Sequence, residues 1–99
     1  MVINIQKFIS STYNIPINML KGKINVKNSE QYKMYNLSIL LCWLLHPTQA
    51  YGCKSTIARL HSCKMNRVHR LNSLYLKNNN FKSFVDNAIK DYKRNYASD

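Results

Sequence analysis

A nine-residue stretch, LSILLCWLL from Leu37 to Leu45, holds a single polar side chain, Ser38. Read backwards to Ser29, an N-cap type of residue followed by Glu30, the segment becomes a helix carrying Tyr32, Tyr35, Leu37, Ile39, Leu40, Leu41, Trp43, Leu44 and Leu45, apolar nearly all round. A helix without a polar face has to be covered on most sides by other segments. The apolar run from Leu37 to Leu45 is itself far too short to cross a bilayer, which takes about 20 apolar residues. Pro47 pushes the preceding residue out of helical geometry and ends the helix near Leu45 or His46. With only 2 Gly and 2 Pro in 99 residues, the turn-rich architecture of an all-β sandwich is disfavoured. The expectation is an all-α fold, a compact bundle of about six helices in one domain spanning residues 1–99.

The covering segments are legible on either side. Ile5, Phe8, Ile9 and Tyr13 fall at helical spacing and predict a first helix over about 3–13. Pro16 suits the first turn of a short helix running to Leu20 or Lys21, closed by Gly22. After a polar connection, PTQAYG, a helix-turn-helix is expected over about 53–76. NNNF then marks a loop with an N-cap at Asn80. Phe81, Phe84, Val85, Ala88, Ile89 and Tyr92 repeat at three and four, predicting an amphipathic helix over about 80–95.

The central candidate is TIARLHSCKMNRVHRL, Thr56 to Leu71. Ile57, Ala58, Leu60 and His61 lie on one helix, which Ser62 ends. The next starts near Lys64 and turns Met65, Val68, Leu71 and Leu74 or Tyr75 inward. Small Ala58 permits close helix crossing, small Ser62 suits a tight turn, and Cys63 fills an apolar position after it. This is the pattern of a helix-turn-helix, whose second helix lies in the major groove. Two positions are unusual: His61 stands where an apolar residue is normal, so it must be neutral and hydrogen-bonded or half exposed, and Ser62 replaces the commoner glycine. The outward set is Lys64, Asn66, Arg67, Arg70 and Ser73, types that donate to phosphates and to guanine or adenine edges.

Charge points the same way. Fifteen Lys+Arg against four Asp+Glu give +11, and no acidic residue lies between Glu30 and Asp86. A surface of this kind attracts polyanions, nucleic acid above all. Lys64, Asn66, Arg67, Arg70 and Ser73 are the expected base readers. Lys21, Lys23, Lys54, Arg59 and Lys77 are the expected phosphate contacts.

At this point a family resemblance enters. IQKFISSTYNIPINMLKGK resembles the opening of the Trp-repressor-like, C-terminal DNA-binding domain of the bacterial replication initiator DnaA, and IARLHSCKMNRV resembles that family's signature segment. The likeness runs over roughly residues 3–92 as a pattern of positions. It implies a helix, a turn with a tyrosine, a short helix and a basic loop ahead of a long apolar helix and the helix-turn-helix. Arg59 matches the family's arginine and Val68 its valine. Cys63, Lys64, Met65, Asn66 and Arg67 stand where the family has its Arg-Asp-His-Thr-Thr run, and keep none of it. Ile24 and Asn25 stand in the basic loop where arginines are usual. The resemblance therefore implies the fold and a DNA-facing side with a different target sequence. The initiator's nucleotide-hydrolysing domain has no room in this chain.

Other chemistry finds less support. Cys42, Cys53 and Cys63 are odd in number and form no disulfide framework, and the N-terminus lacks the basic start and unbroken apolar core of a signal peptide. A reducing, cytoplasmic setting is expected, with no membrane association. Cys53, His61, Cys63 and His69 match no common zinc spacing, so no metal and no cofactor are expected. Four acids, no Gly-rich phosphate loop and no Ser, His and acid grouping leave no catalytic residues; the chain reads as a non-enzyme without a small-molecule substrate. Double-stranded DNA is the expected partner, with a role in replication control or transcription. A protein partner or self-association stays open, as does the rival reading of a basic helical protein-interaction module with incidental nucleic-acid affinity. RNA stacking on the 7 tyrosines is the third option, but Tyr13, Tyr32, Tyr35 and Tyr92 are better placed for the core.

Overall fold

The computed structural model describes residues 2–21, 29–45 and 51–96. They form six helices: α1 (Val2–Tyr13), α2 (Ile17–Leu20), α3 (Ser29–Leu44), α4 (Tyr51–Leu60), α5 (Met65–Lys77) and α6 (Asn79–Tyr96). No strand occurs among the described residues, and the fold is the all-α bundle that the apolar run demands. α3 packs against each of the other five helices. Its side chains from Leu37 to Trp43 are all buried, on every side of the helix. Its covering is distributed: Ile5, Phe8 and Ile9 come from α1, Leu20 from α2, Ile57 and Ala58 from α4, Val68 and Leu71 from α5, and Val85 and Ala88 from α6.

Local chemistry sets the boundaries. α1 ends because Asn14 adopts φ 55°, a left-handed geometry that asparagine tolerates better than most residues. The Ile15 amide then reaches back to the Ser10 carbonyl at 3.1 Å. Pro16 sits just before α2 as its N-cap, at φ −57° and ψ 134°, rather than inside the first turn. Gly22 and Pro47, the expected stops beside α2 and α3, lie outside the described residues, as do Lys23, Ile24 and Asn25.

Two further boundaries differ from the sequence reading. α4 begins at Tyr51, so the end of the supposed PTQAYG connection is already helical. The N-cap of α6 is Asn78, not Asn80: its side-chain oxygen accepts the Phe81 amide at 3.0 Å, which is N-cap geometry. Asn78 also donates its own amide to the Leu74 carbonyl at 2.9 Å, closing α5. One extended residue thus ends one helix and starts the next. Three consecutive asparagines offer three caps, and only the α5–α6 packing selects among them.

Candidate nucleic-acid interface

The turn between α4 and α5 is built on the pattern that ends α1. Ser62 adopts φ 55°. The Cys63 amide donates to the Ala58 carbonyl at 2.9 Å and the Ser62 amide to Arg59 at 3.1 Å, the paired bonds of a Schellman motif with Ser62 at the left-handed position. A residue of this conformation is the one at which glycine is commoner. Lys64 is extended, at φ −83° and ψ 151°, and leads into α5 without capping it through its side chain.

His61, the unusual residue of this segment, is fully buried. Its Nδ1 lies 2.8 Å from the Ile57 carbonyl oxygen and its Nε2 lies 2.7 Å from Ser38 Oγ. A carbonyl only accepts, so Nδ1 carries the proton and Nε2 accepts from the Ser38 hydroxyl. Burial holds the imidazole below its ordinary pKa, partly opposed by the Ile57 hydrogen bond, and the ring is neutral. The Tyr35 hydroxyl donates to the His61 carbonyl from α3. Ser38, the lone polar residue of the apolar run, is there for His61. Together they fasten the turn to the central helix and leave neither ring nitrogen available to a metal.

On α5, Val68 and Leu71 are buried and Tyr75 is half-buried, its hydroxyl donating to Asp86 of α6 at 2.6 Å. Leu74 is 42% exposed, so Tyr75 rather than Leu74 continues the inner face. Asn66, Arg70, Ser73 and Lys77 are exposed and recur at intervals of four, three and four, a single stripe opposite the core. Lys64 is exposed at the head of the helix. Lys77, expected on the flank, therefore shares the outer stripe with the expected base readers.

Arg67 departs from its expected outward position. It is half-buried, and its Nη1 donates to the Tyr32 hydroxyl at 2.6 Å and to Asn36 Oδ1 at 3.1 Å, both on α3. Its guanidinium lies 5.4 Å from the Tyr32 ring centroid and 5.6 Å from that of Tyr35. The hydrogen bond from Arg67 draws the Tyr32 phenol below its ordinary pKa against the effect of burial. The physical reason is position: residue 67 is one residue before the buried Val68 and four before Leu71, so it borders the core, and a long cation there curls onto the neighbouring helix. Lys54 behaves likewise. Its ammonium donates to His69 Nδ1 at 2.9 Å and lies 4.5 Å from the Trp43 ring centroid, tying α4 to α5 and α3. Of the remaining expected phosphate contacts, Lys21 is exposed at the end of α2 and Arg59 is exposed in the last turn of α4. Lys23 lies outside the described residues.

Tyr32 and Asn36 did not emerge from the sequence as part of this surface. A signal was present, because they stand four apart on a helix otherwise read as apolar and so share one face. Among the described residues there is no group of three or more His, Cys, Asp or Glu able to hold a metal ion. Among them no helix is long and apolar enough to cross a membrane. No family model, no characterised protein and no solved structure matches the chain.

Proposed function

We propose that this protein binds duplex DNA through α4, the Ser62 turn and α5, with the exposed stripe of α5 in the major groove. One observation carries the reading: Asn66, Arg70, Ser73 and Lys77 form a single exposed stripe on a helix preceded by a tight turn, in a stretch without any acid. Amide and guanidinium groups there have the donors that base edges accept, and the chain's +11 charge draws a polyanion to them. The likeness to the initiator's DNA-binding domain supports the same orientation, with a target of its own and a role in replication control or transcription. The positions nearest the Arg-Asp-His-Thr-Thr run are Cys63 to Arg67, and here Cys63 is half-buried and Arg67 is engaged by α3. The reading therefore rests on Lys64, Asn66, Arg70 and Ser73, with Lys77 added to them.

The experiment is a selection of bound duplexes from a random pool, followed by titrations of the winner and of random duplex across a salt series. Binding should weaken steeply with salt, reporting the phosphates engaged. Arg70→Ala or Asn66→Ala should narrow the gap between the two duplexes by about 1–3 kcal/mol. Arg59→Ala or Lys21→Ala should weaken both together and flatten the salt slope. Uniform losses from all four substitutions would reduce the stripe to a charged patch, and absence of duplex binding would end the reading.

A further inference from the structure

Beside the outer stripe lies a second feature, of which the proposed DNA surface uses only Arg70. Tyr32 and Asn36 of α3, with Arg67, Arg70, Leu71 and Leu74 of α5, line an open cleft of about 170 Å³. Pockets that take cofactors or drug-sized ligands run to about 300–1,000 Å³, so this one has room for a side chain or two and no more. Its two ends differ chemically. One is cationic and fixed, since Arg67 is held by Tyr32 and Asn36 before anything binds. The other is aliphatic: Leu71 forms the wall and Leu74 the rim, and Leu74 is 42% exposed.

The cleft also lacks a counter-charge. None of its lining residues is acidic. The nearest acids in sequence are elsewhere: Glu30 lines a different cleft with Tyr13 and Met34, and Asp86 receives the Tyr75 hydroxyl. Two arginines one turn apart, one of them already immobilised, are arranged for an external anion, because the entropy of ordering Arg67 is lost on folding rather than on binding. A DNA phosphate would satisfy the arginines and gain nothing from Leu71 and Leu74. A carboxylate side chain next to an aliphatic one uses both ends.

We propose that the α3–α5 cleft is a docking site for a protein partner, occupied by a segment in which an Asp or Glu adjoins a large aliphatic residue. The carboxylate lies against Arg67 and Arg70, and the aliphatic side chain covers Leu74. The cleft borders the outer stripe and shares only Arg70 with it, so the inference stands or falls apart from DNA binding. A partner seated there leaves Asn66, Ser73 and Lys77 accessible.

The test pans a random twelve-residue peptide library on the full chain and titrates the enriched peptides against it. Enrichment of acidic residues beside Leu, Ile, Val or Phe is expected. Leu74→Ser should weaken such a peptide about tenfold, the worth of one covered aliphatic side chain. Arg70→Gln should weaken it at least as much, and Asn66→Ala should leave it unchanged. Leu74 is exposed, so its substitution does not threaten the fold; circular dichroism of the variant checks this. No enrichment, enrichment without acids, or equal binding to Leu74→Ser overturns the proposal. So does a selected duplex that shifts the amide signals of Tyr32, Asn36 and Leu74 as strongly as that of Asn66, because the cleft would then belong to the DNA contact.

Discussion

α3 meets its neighbours in two different ways. On the α1 side the packing is apolar: α1 lies against α3 and brings Ile5, Phe8 and Ile9 into the same buried cluster as Leu37, Ile39, Leu40 and Leu41. Against α4, the turn and α5, the contact is threaded with hydrogen bonds: Tyr35 and Ser38 donate to His61, and Tyr32 and Asn36 accept from Arg67. Apolar packing is non-directional and accounts for most of the driving force of burial. Hydrogen bonds inside a low-dielectric interior are costly to misplace, since a buried donor or acceptor left unpaired loses about 1–3 kcal/mol. The first interface holds the bundle together. The second sets where the α4–α5 pair stands on it, and that is the pair carrying the candidate DNA surface.

Four perturbations break or sharpen this contrast, the largest first. Phe8→Ala removes a fully buried ring from the apolar side and should cost about 3–5 kcal/mol in chemical denaturation, with the hydrogen-bonded side following in one cooperative transition. A separate, earlier loss of the α1 contact alone would show that the two interfaces are not one folding unit.

Ser38→Ala leaves a nearly equal volume but strands His61 Nε2, and should cost about 1–3 kcal/mol. A neutral result would mean that the Ser38–His61 contact contributes little beyond shape.

pH comes third. His61 is held below its ordinary value near 6.5 by burial, so the unfolded chain takes up this proton before the folded one does. Stability from this group is complete above about pH 6.5 and falls as pH drops towards the folded value, with a limiting slope of about 1.4 kcal/mol per pH unit. His61→Gln should remove that part of the slope. An unchanged pH dependence in the variant would assign it to other groups.

The smallest effect is at the turn. Ser62→Gly relieves a left-handed residue of its Cβ and should stabilise by roughly 0.5–1 kcal/mol in thermal melts, while Ser62→Val should destabilise. Stabilisation by valine would rule out the turn geometry described for residues 61–64.

Much of this fold is legible in the residues, because periodicity is a local property. The inner faces of α1 and α6, the all-round apolar character of α3 and the α4–turn–α5 pattern follow from spacing alone. For His61 the sequence leaves two outcomes, neutral and hydrogen-bonded or half exposed, and the structure selects the first. The partner cannot be read from the sequence, because Ser38 is 23 positions away and only the crossing of α3 with α4 brings the hydroxyl to 2.7 Å. Cap choice escapes for a related reason: Asn78, Asn79 and Asn80 are chemically equivalent until α5 and α6 meet.

By itself, then, the sequence determined the helical class, the central helix, the basic imbalance and the turn before α5, since each depends on residue type and near-neighbour spacing. Tertiary structure decided which cations face solvent. Arg67 and Arg70 are alike in charge and stand three residues apart, yet Arg67 is held by Tyr32 and Asn36 while Arg70 is exposed. That division comes from α3 lying beside one flank of α5, a proximity of residues more than 30 positions apart that no local pattern encodes.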